Sequence, residues 1–223
     1  MTEAEWLACG DPQPLIESLS CSISERKVRL FALACCRRVG HLFLGRHSWS
    51  AIEVGERAAD GLASDTEREA AEAAAFQTFL DARVHGDGSA SHLAASAVWG
   101  AASRDTSATF EKGLIGYAHT VAIQAADATD QQVEERRTQT TMLRDIFGNP
   151  FRPVAFDPAW RTDTAVSLAR GMYDSREFGA MPILADALQD AGCEDEQVLT
   201  HCRDANQVHV RGCWVCDLVL GKS

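Results

Sequence analysis

Apolar residues recur every three to four positions along almost the whole chain, and nowhere do they alternate over the length of a strand. Val208-His209-Val210 is the best strand candidate, and it is too short to found a sheet. The repeat of apolar positions follows no fixed longer period, so a solenoid is not indicated. The expected fold class is all-α, an irregular bundle of about ten helices with no significant sheet. Its 223 residues read as one helical domain, 1–223, or as two layers, 1–141 and 142–223.

Helix punctuation is explicit. Thr2 and Glu5 form a capping-box pattern ahead of a short helix that Gly10 ends, and Asp11-Pro12 starts a second. Ser24 opens a longer helix expected to run to Gly45, with Val28, Phe31, Ala32, Cys35, Val39 and Leu42 on one face. A helix over 48–60 follows, stopped by Gly61, and Ser64-Asp65 begins an acidic, alanine-rich helix to about residue 84. Residues 85–91 read as a loop, followed by helices near 91–103 and 106–128 and a polar one from Asp130. Further helices are expected over 162–173, 178–191, 194–203 and 212–220.

Between these patterns lies Met142 to Val154, MLRDIFGNPFRPV. Leu143, Ile146 and Phe147 close a helix; Gly148-Asn149 stops it and Pro150 forbids its continuation. Phe151 and Val154 are expected to plug the core, so that truncating Phe151 would be costly. Asp157-Pro158 reads as the next helix start.

Charge and cysteine usage narrow the function classes. A formal charge of −11 supplies no net-basic surface, which argues against nucleic acid as a partner. No apolar run approaches a membrane span, and the acidic start, Met1-Thr2-Glu3-Ala4-Glu5, lacks the apolar core of an export signal. The eight cysteines are therefore expected as reduced thiols in a cytoplasmic protein.

The segments MTEAEWLACGDPQP, RKVRLFALACCRR, LRDIFGNPFRPV, MPILADALQDAGC and HVRGCWVCDLVLGK together resemble a family of small helical proteins abundant in planctomycete bacteria. The resemblance is strongest in the first 60 residues and over 142–221. It implies no catalytic residues, because no activity is attached to that family.

Three constellations could carry chemistry. His201-Cys202, His209, Cys213 and Cys216 supply enough soft donors for tetrahedral zinc; the candidate ligands are Cys202, His209, Cys213 and Cys216. Against this, Gly212 to Leu220 reads as a buried helix in which cysteine packs as a small hydrophobe. The same C-x-x-C could be a redox pair at a helix start, though no preceding strand is present. Cys35-Cys36-Arg37-Arg38 with His41 resembles an activated nucleophile, but helical projection packs Cys35 inward and leaves Cys36 partly exposed. Finally, Arg26, Arg29, Arg37 and Arg38 form a basic helix face. They either pair with acids of the glutamate-rich helices or dock an acidic partner; Arg144 and Arg152 are further anion-binding candidates.

No P-loop, G-x-G-x-x-G, H-E-x-x-H or G-x-S-x-G occurs. The expected function is thus a helical module that binds another protein with an acidic surface and needs no cofactor. The alternative is a zinc protein or enzyme built on the C-terminal His/Cys cluster.

Overall fold

The structure, a computed structural model, describes residues 1–19, 24–83, 89–103 and 132–222. Eleven α-helices and no strand occur among the described residues, so the fold is all-α. The helix expected over 106–128 lies outside them. The chain divides into two compact units, Met1–Thr140 and Thr141–Ser223. No described helix is long and apolar enough to cross a membrane.

The first unit opens with α1 (Glu3–Ala8), held by the reciprocal Thr2/Glu5 capping box, and α2 (Pro12–Ser18), capped by Asp11. Their Trp6 and Leu15 are fully buried. Helix α3 (Glu25–Arg38) is followed by α4 (Arg46–Ala59), α5 (Asp65–Ala82) and α6 (Ala90–Ala102). Helices α3 to α6 pack on one another in this unit. Their shared core draws on Ala51, Ala71, Ala75, Ala97 and Ala101 around Leu33 and Ile52. Small side chains let helix axes approach closely, which is what the alanine-rich composition achieves here.

Two expectations for α3 are corrected. It ends at Arg38 and gives way to a 3-10 turn, Gly40–Leu42, instead of running to Gly45. At this turn Trp49 of α4 stands against Gly40: its indole occupies the place a Cβ there would take, with Phe43 edge-on at 5.1 Å. Nor is α3 two-faced. Every residue from Val28 to Cys36 is buried, including Arg29 and the Cys36 thiol expected to be partly exposed. Burial pushes the Cys36 thiol up to about 12 and Cys35 well above the ordinary range, so neither is an activated nucleophile.

The unit boundary falls within α7 (Gln132–Phe147). The second unit continues through α8 (Asp163–Ser175), α9 (Met181–Asp190), α10 (Glu196–Arg203) and α11 (Trp214–Leu220). Its core joins Ala165, Ala169, Met172 and Tyr173 of α8 to Met181, Leu184 and Leu188 of α9, Val198 of α10 and Val215 and Val219 of α11. Cys193, Cys202, Cys213 and Cys216 fill the same core. Ile183, beside the buried Leu184 on α9, is exposed.

The central stretch behaves as its punctuation suggests, with one exception. Gly148 adopts φ +68° and ends α7, and Pro158–Trp160 forms a short 3-10 turn capped by Asp157. Phe151, however, is 42 % exposed, which corrects its expected burial. Asn149 Oδ1 accepts the Phe151 N–H at 3.0 Å, and this local turn carries the residue outward. Val154, Phe156 and Trp160 pack against the core in its place.

Candidate metal centre

One group of metal-capable side chains converges among the described residues: Asp145, His201, His209 and Cys213. Four different pieces of local structure deliver them within the second unit. Asp145 lies on the last turn of α7, fully buried among Met142, Leu143 and Ile146. His201 stands on the last turn of α10, three residues beyond the buried Val198. His209 comes from the non-helical stretch after α10, and Cys213 is the N-cap residue of α11. A cysteine at an N-cap usually gives way to a hydroxyl or carboxyl; here the thiol makes no cap bond and turns to the cluster.

The donor atoms all lie within 4.8 Å of one another. Asp145 Oδ1 is 2.8 Å from His209 Nδ1 and 3.2 Å from His201 Nε2. Cys213 Sγ is 3.3 Å from His201 Nε2 and 3.9 Å from His209 Nδ1. Asp145 Oδ2 points away from the other donors and accepts the Val210 N–H at 2.8 Å. That bond fixes the carboxylate so that only one of its oxygens faces the cluster.

The two imidazoles touch edge to face at 5.0 Å. Trp214 flanks His201 at 5.1 Å and Phe178 flanks His209 at 6.0 Å. The stop at Gly148 serves this wall directly. A Cβ there would sit 3.3 Å from the Trp214 ring, and the left-handed backbone disfavours any side chain.

Electrostatics follow from burial in competition with the neighbours. Burial disfavours the Asp145 carboxylate, yet hydrogen bonds from His201 and His209 outweigh it and hold its pKa below the ordinary value. Burial likewise opposes charge on the two rings. Cys213 and the Asp145 hydrogen bond reverse this at His201, raising it to about 9. At His209 the hydrogen bonds with Asp145 and Cys213 raise it to about 10. The Cys213 thiol is pushed well up by burial, then by its hydrogen bond with Cys216 and by Asp145.

Of the ligands read from sequence, His209 and Cys213 are brought together, whereas Cys202 and Cys216 stand outside the converging donors. Cys202 is buried in the core, and its thiol is pushed well above the ordinary range by burial first and the charge of Cys213 second. Cys216 faces the Met181 sulfur at 3.8 Å. Their places are taken by His201 and Asp145. Asp145 carried one sequence signal: an acid on the same helical stripe as Met142, Leu143 and Ile146 is misplaced unless something satisfies it.

The arginine candidates lie elsewhere and are engaged with the protein itself. Arg26 pairs with Asp60 at 2.9 Å, Arg38 with Glu135 at 2.7 Å, and Arg37 grips Glu56 through Nε and Nη2 at 2.6 and 3.0 Å. Arg29 meets Glu25 and donates to the carbonyls of Ala101 and Ser103 at the end of α6. Arg144 is half-buried beside the site carboxylate in sequence, and Arg152 is exposed.

All seven described cysteines are free thiols. Comparison of the chain with protein-family models, with curated proteins and with solved structures finds no match.

Proposed function

We propose that the second unit is a metal-stabilised helical module whose Asp145, His201, His209 and Cys213 bind one divalent transition ion of the zinc type. The observation that carries this reading is how the imidazoles are aimed. His201 turns a single nitrogen to both Asp145 and Cys213, and so does His209. A catalytic Cys-His-Asp relay spends the two ring nitrogens on different partners. Two rings that each send one nitrogen to a shared point, with a thiol and a carboxylate, arrange donors around an ion.

Three further considerations support it. Zinc–nitrogen bonds of about 2.0 Å and zinc–sulfur bonds of about 2.3 Å give tetrahedral edges of roughly 3.3–3.5 Å, and the four measured separations scatter around that. One carboxylate and one thiolate neutralise a divalent ion, so the loaded site is neutral in a buried setting. Asp145 also sits at a helix C-terminus, where a negative charge is disfavoured and a cation is welcome.

Four protein donors leave no coordination position for a substrate, which favours a structural role over a catalytic one. The ion would tie the end of α7, the end of α10 and the start of α11 to the intervening non-helical stretch. Elemental analysis of untagged protein tests this. One zinc per chain is expected, falling to a small fraction in Cys213→Ala and in the double variant His201→Ala/His209→Ala. Untagged wild-type protein that neither carries nor takes up zinc, cobalt or nickel overturns the reading.

A further inference from the structure

The second unit keeps a thiol one helical turn from the metal-binding thiol without using it as a donor. Cys216 lies one helical turn beyond Cys213, on the first turn of α11, and both side chains are fully buried. The other neighbour of Cys216 is the Met181 sulfur. Both sulfurs are enclosed in the same core.

We propose that the centre is redox-labile: a hydroperoxide oxidises Cys213 while it ligates the ion, Cys216 closes a Cys213–Cys216 disulfide, and the divalent metal is released. This rests on the metal reading above and adds its regulation. Residues three apart on a helix bring their Cβ atoms to about 5–6 Å, and a disulfide needs roughly 3.5–4.5 Å. A small backbone adjustment at Cys213, an N-cap residue that is not yet in the helix, closes that gap. The single thiolate is also the donor whose loss matters most. Without it the site retains one carboxylate and two imidazoles, and the charge balance of the loaded centre is broken.

The chemistry balances without a further co-reactant. The metal-bound Cys213 thiolate attacks one peroxide oxygen, the O–O bond breaks, and hydroxide leaves, giving a sulfenic acid. The Cys216 thiol then attacks the Cys213 sulfur; the S–O bond breaks and water leaves as the S–S bond forms. Both electrons come from the thiols, the peroxide is reduced, and the metal departs with its charge unchanged. The edge of the centre that meets solvent is the imidazole side, where the His201 and His209 side chains are 11 % and 7 % exposed, while Cys213 is fully buried behind them.

Zinc-loaded, untagged full-length protein is treated with excess hydrogen peroxide. Free zinc is read with a metallochromic dye, intact mass by mass spectrometry, and the linkage by peptide mapping. The expected result is zinc and a Cys213–Cys216 disulfide appearing in equal amounts, with a mass loss of two hydrogens. Dithiothreitol should restore zinc binding. Cys202→Ala should behave as wild type, whereas Cys216→Ala should bind zinc beforehand and then gain oxygen without losing two hydrogens. Should Cys216→Ala fail to fold, the wild-type peptide map decides alone. Zinc retained under peroxide, or a disulfide mapping to a different pair, overturns this proposal and leaves the metal reading standing. Protein that never takes up zinc overturns the metal reading, and this one with it.

Discussion

The two units handle buried charge in opposite ways. In the first, charges are met by opposite charges: Arg37 with Glu56, Arg38 with Glu135, Arg26 with Asp60. The buried Arg29 answers both a carboxylate and the open carbonyls at the end of α6. In the second, the fully buried Asp145 is faced by two imidazoles, a thiol and a backbone N–H at once. Pairing of opposite charges is what the first arrangement shows. It leaves the second over-supplied with donors, because a carboxylate needs a partner and not a ring of metal ligands. The difference teaches that a buried charge is informative when its surroundings exceed what satisfying it requires.

The sharpest way to break that contrast is to remove the ion. A ligand at about a thousandfold its Kd stabilises the folded state by about 4 kcal/mol, so chelation should markedly destabilise the second unit. Hydrogen exchange resolved by segment should rise in 200–220 on chelation, with segments 25–60 unchanged. Asp145→Ala should mimic chelation and make it redundant, with a loss of roughly 3–5 kcal/mol, because it strips a buried network of its only carboxylate. Equal exchange in the two segments would dissolve the distinction between the units.

Glu56 provides the matching probe of the first unit. It is 3 % exposed, and its replacement by Ala leaves Arg37 without its bidentate carboxylate. Since the Arg37 side chain is itself 24 % exposed, the loss should fall near the low end of the range for buried pairs, roughly 3 kcal/mol. Urea unfolding of Glu56→Ala with and without chelator should give additive effects. A chelation effect that vanishes in this variant would show that the two regions are not independent.

A smaller effect is expected at the start of α5. Glu67 is held down to about 2, first by the Ser64 N–H, then by Arg57 and the Ser64 hydroxyl. A lowered carboxyl contributes stability above its ordinary value of 4.5, and that contribution disappears as pH falls through about 2. Ser64→Ala should cost about 1 kcal/mol near neutral pH. The gap between its thermal midpoint and that of the wild type should narrow as pH drops over this window. A gap that is constant with pH would mean that the hydroxyl, and not the ionised capping box, carries the effect.

Least of all should change at Phe151. Its exposure predicts that Phe151→Ala shifts stability by no more than about 0.5 kcal/mol, in contrast to the loss its sequence context suggests. Urea midpoints of variant and wild type at equal concentration check this. A substantial loss would mean that the exposed ring has a partner the turn geometry conceals.

Local rules made much of the fold legible. The capping boxes at Thr2 and Ser64, the Asp11-Pro12 start and the Gly148 stop stand where the sequence puts them, because each depends on atoms within a few residues. The limits of that reach appear at α3. Its end is followed by a turn at Gly40 that lies against Trp49 from the next helix, and its burial comes from packing with α4 and α6, so neither is written in its own period. Phe151 marks the same boundary from the other side: hydrophobicity favoured burial, and an Asn149 side-chain turn overruled it.

The candidate centre divides along the same line. The sequence by itself determined an all-helical chain, the punctuation of its helices, and a C-terminal stretch rich in His and Cys, which holds three of the four converging donors, His201, His209 and Cys213. It also held Asp145 as an acid on an apolar stripe, without saying what would meet it. Only the tertiary structure decided that Asp145 and His201 complete the set while Cys202 and Cys216 turn into the core. The physical reason is distance along the chain. Spacing can bring together residues a turn or a loop apart, but Asp145 precedes His201 by several helices, and only the packing of α8 to α11 brings the two within 3.2 Å.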